Sequence, residues 1–293
     1  MNQAFRVGIT RDFLKPDGSV GWGDIGLRRL DEAPGLIWDF LPEQTRMLRP
    51  DQIRGYDALA VLGPRVTAET LEGVDRLALI ARFGVGYDSI DIDACTEHGV
   101  AVTNTPDGVR RPMASATMTM ILALSHRLFD KDRITRAGDA WQRKLDYMGY
   151  GLTGKTLGFI GLGNIGQEVA RLSAPFGVRR IASDPYLDPA KAAAVDTDLV
   201  DLDTLLREAD FVITLCQLTP ETRHLLNAER LALMKPTAFL VSMARGPIVD
   251  QPALTEVLRE RRIRGAAMDV FEQEPVDPND PILSLDNVIV TPH

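Results

Sequence analysis

Short apolar runs alternate with amphipathic or polar stretches along nearly the whole chain, the rhythm of parallel sheets covered by helices. In the first third, FRVGI (5–9), DALAV (57–61), LALIAR (77–82) and GVAVTN (99–104) read as short buried strands. Between them, 67–73 reads as a helical or loop stretch opening on Thr67 as an N-cap. TPDGVRRP (105–112) then interrupts the pattern with prolines and a glycine, which predicts a hinge. The stretch 113–128 is apolar or small nearly all round, which predicts a helix buried between domains or subunits. A second series follows: TLGFI (156–160), VRRIASD (178–184), DFVITL (210–215), TAFLVS (237–242), RGAAMD (264–269) and NVIVT (287–291). These predict a six-stranded doubly wound sheet. The fold class is therefore α/β, with two doubly wound parallel-sheet domains, one spanning 1–104 and the other 105–290.

The second series begins with a motif that carries chemistry. Gly161-Leu162-Gly163-Asn164-Ile165-Gly166 follows an apolar strand and opens a stretch with Ile165, Val169, Leu172 and Phe176 at helical spacing. GxGxxG alone is a weak signal; strand, glycines and helix in this order are a strong one. Gly161 permits the tight turn, Gly163 lets the backbone approach a pyrophosphate, and Gly166 lets helix and strand pack closely. Phosphates would then meet the free N–H groups and positive end of the helix. Asp184 closes the next strand, where an acid can accept hydrogen bonds from ribose hydroxyls and repel a 2′-phosphate. No arginine directly follows Asp184, so the expected cofactor is NAD rather than NADP.

Composition narrows the surroundings. With 45% apolar and 25% charged residues the chain reads as an ordinary soluble protein. A net charge of -8 leaves no electrostatic footprint for nucleic acid or an anionic membrane. Cys95 and Cys216 lie far apart and form no CxxC pair, which favours a reducing cytoplasm over a disulfide framework. The N-terminus lacks the cationic start and apolar run of a signal peptide.

Four stretches carry a family resemblance: ARFGVGYDSID (81–91), TLGFIGLGNIGQEVA (156–170), SMARGPIVD (242–250), and AAMDVFEQEP (266–275) followed by NVIVTPH (287–293). In these the chain resembles the D-2-hydroxyacid dehydrogenases. The resemblance implies a flavodoxin-like substrate domain and a Rossmann NAD-binding domain with a cleft between them. It implies interconversion of a small D-2-hydroxy acid and its 2-keto acid, and a homodimer with the helix 113–128 near the interface. Arg245 matches the family's substrate arginine, Glu274 and His293 its catalytic pair, and Asp269 the residue that holds the nicotinamide carboxamide. Val85 and Gly86 match positions whose backbone N–H groups meet the substrate carboxylate. Asn164, Ile165, Asp184, Cys216 and Met243 match cofactor contacts. Family members continue into a helix that returns to the first domain, so that domain is expected to be completed by residues beyond His293.

These residue types suit the reaction. A planar guanidinium can hydrogen-bond a carboxylate and its neighbouring carbonyl together, which an ammonium cannot do in the same geometry. Histidine, with an ordinary pKa of about 6.5, suits a proton donor to the oxygen that gains charge as hydride arrives. Ser115 and Gln217 stand where many relatives have a glutamate and a proline, and VLGPRVT lacks the arginine of phosphoglycerate-specific relatives. Arg65 and Arg82 remain as candidates for a distal anion. His98, His126 and His224 take no role on this reading, and Trp141 reads as a packing residue under the domain junction. The competing reading is an NAD(H)-binding sensor or corepressor-like scaffold on the same fold, in which binding matters and turnover is incidental.

Overall fold

Every strand lies parallel to its neighbours, in two separate sheets, in the computed structural model, which describes residues 4–293. Residues 1–3, with which the first expected domain begins, lie outside the described residues. The chain divides into two compact units that meet between Val109 and Arg110.

The first unit holds β1 (Phe5–Ile9), β2 (Leu36–Phe40), β3 (Ala58–Val61), β4 (Leu79–Arg82) and β5 (Ala101–Thr103). Their order, β2-β1-β3-β4-β5, is that of the flavodoxin-like doubly wound sheet. Its core gathers Leu59, Val61 and Ile80 from the strands with Ile53, Leu71 and Ala94 from the covering helices. The sequence pattern does not reveal β2. LIWDF sits at the sheet edge with every residue at least partly exposed, so it lacks the continuous aliphatic run of a central strand.

The second unit holds β6 (Thr156–Ile160), β7 (Arg179–Ser183), β8 (Asp198–Leu199), β9 (Phe211–Thr214), β10 (Phe239–Ser242), β11 (Gly265–Met268) and β12 (Val288–Val290). Their order is β12-β11-β10-β9-β6-β7-β8, the dinucleotide-fold order with one strand added beyond the sixth. The sequence predicts six strands; the seventh, β8, is a two-residue edge ladder too short to leave a pattern. Burial on both faces follows from alternation. Phe211, Ile213, Phe239 and Val241 enter one core with Ile121 and Leu124, while Val212 and Leu240 enter the other with Leu254 and Leu258.

The segment expected as a hinge, 105–112, holds the boundary between the two units but is helical from Pro106 onward. One helix runs Pro106–His126 with Pro112 inside it. Pro106 takes the first helical position, where no N–H is needed. Pro112 removes one bond near the start of the helix and lies exposed. From Met113 onward only Ser115, Thr119 and His126 of this helix are exposed, and its buried residues, among them Ala114, Met118, Ile121 and Leu124, join the second unit's own core. Arg127, in a left-handed conformation (φ 52°), ends it. Among the described residues no helix is long and apolar enough to cross a membrane.

Candidate active site

Register aligns the carboxyl ends of the second unit's strands. Ile160 pairs with Ser183 and Thr214, Thr214 with Ser242, Ser242 with Met268, and Met268 with Val290. One residue past this row stand Gly161, Asp184, Met243, Asp269 and Thr291, so residues far apart in sequence share one edge. Ligands of open parallel sheets bind at that edge.

The glycine turn is built as its chemistry requires. Gly161 has φ 88°, and a Cβ there would lie 2.7 Å from the backbone N and Cα of Cys216. The turn therefore presses on the chain leaving β9. A Cβ at Gly166 would lie 2.9 Å from the Gly161 carbonyl, so helix and strand meet without a side chain between them. At Gly163 a Cβ would meet nothing within 4 Å. This glycine borders open, exposed space and caps the helix Asn164–Ser173. The N–H groups of the first turn, at Asn164, Ile165 and Gly166, have no partner within that helix. Asp184 Oδ2 accepts the Leu162 N–H at 2.9 Å and Oδ1 the Tyr186 N–H at 3.2 Å, which fixes its carboxylate beside the turn. Open space over Gly163, a positive helix end and an oriented acid fit a dinucleotide. Cys216 packs behind the turn, and burial pushes its thiol up to about 11, with the charge of Asp184 adding to the effect. Met243, also expected to contact the cofactor, is buried in the core at the end of β10.

At the other end of the row lies a charged cluster. His293 follows β12, and its Nδ1 lies 2.7 Å from Glu274 Oε2. An ionised carboxylate only accepts, so Nδ1 carries the proton, and Nε2 is left without a partner among the described residues. Glu274 Oε1 accepts the Phe271 N–H at 3.0 Å. Partial burial would raise this carboxyl, but the hydrogen bonds from His293 and Phe271, with the charges of His293 and Arg245, hold it below the usual carboxylate value. Arg245, three residues past β10, donates Nη1 to the Ala244 carbonyl at 2.8 Å. Asp269 Oδ1 accepts the Thr291 hydroxyl at 2.6 Å, tying the ends of β11 and β12 together.

In the first unit, Val85 and Gly86 follow β4 in a loop closed by Asn104, whose Nδ2 donates to the Val85 carbonyl at 2.9 Å. Thr105 Oγ1 accepts the Gly84 N–H at 2.8 Å. Among the described residues the N–H groups of Val85 and Gly86 meet no protein acceptor.

Sequence reasoning missed one pair. His224 Nε2 lies 2.6 Å from Glu272 Oε1, two residues from Glu274. The partners are 48 positions apart in connecting loops, and no local pattern joins them.

Comparison with known proteins places these features in context. Residues 118–293 match the family model described as D-isomer specific 2-hydroxyacid dehydrogenase, NAD binding domain. A glyoxylate reductase of Thermococcus onnurineus is 40% identical over 264 residues, covering 88% of this chain and 78% of that protein. A D-3-phosphoglycerate dehydrogenase of Methanocaldococcus jannaschii is 43% identical over 245 residues, 83% of this chain and 46% of that protein. Among solved structures, D-lactate dehydrogenase from Aquifex aeolicus, complexed with NAD and lactic acid, superposes with a TM-score of 0.80 at 29% identity. That match covers 98% of this chain and 88% of the other.

Proposed function

The chain belongs to the D-isomer-specific 2-hydroxyacid dehydrogenase family and is an NAD-dependent enzyme of that kind; from this premise we propose that it reduces a small 2-keto acid, reversibly, through Arg245, Glu274 and His293. The observation that carries the proposal is the Glu274–His293 hydrogen bond, 2.7 Å long, with the charge of Arg245 acting on the same carboxylate. NAD, when bound, supplies or accepts the hydride. Gly161, Gly163, Asn164, Ile165 and Gly166 would hold its pyrophosphate, Asp184 its adenosine ribose, and Asp269 its carboxamide, with Cys216 and Met243 lining the path between.

The protein's own work is orientation and proton transfer. The Arg245 guanidinium grips the substrate carboxylate and the adjacent carbonyl oxygen, favouring charge on that oxygen. Val85 and Gly86, in the first unit, carry N–H groups without a protein acceptor among the described residues, of the kind that can meet a carboxylate. His293 Nε2 gives its proton to the oxygen during reduction and takes it back during oxidation. Glu274 fixes the tautomer that leaves Nε2 available and offsets the positive charge of the protonated ring.

Loss of NADH absorbance with a panel of 2-keto acids, glyoxylate first because of the glyoxylate reductase relatives, tests the reading. His293→Ala should lower kcat by about a hundredfold or more while NADH still binds. A wild-type protein that binds NADH but reduces none of the panel would instead be a sensor. The free thiols of Cys95 and Cys216 fit a reducing compartment, here the cytoplasm.

Self-association is part of the proposal. The helix 113–128, expected near the interface, spends its apolar surface inside its own unit. The next segment does not: Leu128, Phe129, Leu145 and Met148 are each more than half exposed, and Trp141, expected to pack, is exposed instead. An apolar set of this size on one short stretch suits a second copy of the chain.

A further inference from the structure

Two turns carry the proposed chemistry, the one holding Arg245 after β10 and the one holding Glu274 after β11. They are pressed together at Gly246, where a Cβ would overlap the Phe271 carbonyl and lie 2.5 Å from the Glu272 nitrogen. A third segment, leading from β9, reaches both turns through one residue. His224 donates its backbone N–H to the Pro247 carbonyl at 2.8 Å, and its Nε2 lies 2.6 Å from Glu272 Oε1. Its backbone is left-handed, φ 48°, which costs a non-glycine residue about 1 kcal/mol and persists only where surroundings enforce it.

Glu272 is fixed from its other side as well. Its N–H donates to Gln251 Oε1 at 3.0 Å, and the buried Gln251 Nε2 donates to Asp280 Oδ2 at 2.7 Å. Glu272 is thus held at main chain and side chain, and both its side chain and that of His224 are more than half buried. Two residues further on, Glu274 has one oxygen on Phe271 N and the other on His293. Displacing Glu272 would rotate this short turn and pull Glu274 off the imidazole.

We propose that His224 and Glu272 form a positioning pair that holds Glu274 in line with His293 and the Arg245 turn against both, a role that rests on the dehydrogenase reading above. Neither residue touches the substrate. Their contribution is to keep the carboxylate where it fixes the tautomer of His293, so it acts on the chemical step rather than on binding.

The test compares His224→Ala, Glu272→Ala, the double variant and His224→Gln, which retains an N–H donor. His224→Ala should lower kcat between about tenfold and a hundredfold, leaving KM and the NADH dissociation constant within about twofold. Glu272→Ala should match it, the double variant should be no worse than either single one, and His224→Gln should recover most of the loss. Unchanged kcat in His224→Ala overturns the proposal, as does a loss matched by weaker NADH binding and not rescued by glutamine. An NMR measurement stands apart from activity: the Nδ1–H signal of His293 should shift or broaden in His224→Ala, and a superimposable signal counts against the pair. Should the wild type reduce no keto acid, the dehydrogenase reading fails, and the His293 signal alone decides whether the pair positions Glu274.

Discussion

Nδ1 of His293 and Oε2 of Glu274 lie 2.7 Å apart, while the other oxygen of that carboxylate accepts the Phe271 N–H at 3.0 Å. Two backbone segments are therefore joined through one side chain that is 37% exposed. Such a carboxylate is oriented by the protein yet open to titration from solvent.

That titration has a definite sign. The native Glu274 carboxyl is held below its ordinary value of 4.5, so its stabilising effect is full above about that pH. It fades as pH falls from there and is gone below the native value. The melting temperature of Glu274→Gln should accordingly trail the wild type at neutral pH, and the gap should close in acid. A gap that widens in acid would contradict the assignment. The same variant should lose kcat by about tenfold or more, because an amide can offer its N–H where only an acceptor serves His293.

Gly246→Ala should be more damaging than its size suggests. The added carbon would overlap the Phe271 carbonyl, a backbone atom that cannot swing aside. Overpacking of this kind costs about 1–3 kcal/mol, and an overlap with backbone belongs at the upper end, read as a lower urea midpoint. Turnover should fall beyond what the residual folded fraction explains, since the two turns it separates carry Arg245 and Glu274. Wild-type stability in this variant would show that the contact relaxes freely.

Cys216 should resist alkylation in the native protein. With its thiol near 11, on the order of one molecule in ten thousand carries the thiolate at pH 7. Burial likewise raises Cys95. Mass spectrometry after iodoacetamide treatment should find both unmodified until urea is added. Rapid labelling of Cys216 would mean that the glycine turn does not stay packed against it.

What could be read in the sequence was what lies close together in it. The turn from Gly161 to Gly166 and the acid at Asp184 belong to one strand–helix–strand unit, whose spacing is fixed by the length of a helix. Arg245, Glu274 and His293 were legible only through motif resemblance, because nothing local says that the ends of β10, β11 and β12 adjoin. Two of the four edge strands escaped notice: every residue of β2 is at least partly exposed and β8 is two residues long, so no run of aliphatics marks either. Pro112 misled in the opposite direction, since a proline near a helix start removes a single bond and the buried face from Ala114 onward carries the element through it. The His224–Glu272 contact depends on loop conformations that no periodicity encodes.

Light scattering should report twice the 32.3 kDa chain mass. Trp141 is 81% exposed and Leu145 73%, and a charge at either position should shift the protein toward monomer. Trp141→Asp is the sharper probe, because an exposed tryptophan changed to aspartate costs little stability in a monomer but puts a charge into an apolar interface. A monomeric wild type would assign that surface to something other than a second copy.

On the proposed function, the choice between NAD and NADP should turn on Asp184. Its carboxylate is oriented by the N–H groups of Leu162 and Tyr186 at 2.9 and 3.2 Å, so it is a fixed negative charge at the end of β7. A 2′-phosphate brought beside it meets repulsion that the bare ribose hydroxyl of NAD does not. Asp184→Asn keeps an acceptor for the Leu162 N–H and removes the charge, separating the electrostatic effect from the structural one. The NADH-to-NADPH affinity ratio, followed by nucleotide fluorescence, should narrow tenfold or more, about 1.4 kcal/mol. NADH binding should itself weaken modestly as charge-assisted hydrogen bonds become neutral ones. The same change at Asp203, an exposed residue on the helix Leu202–Glu208, should leave the ratio where it was. If Asp184→Asn also leaves it there, the acid discriminates nothing, and the preference must come from the shape of the turn.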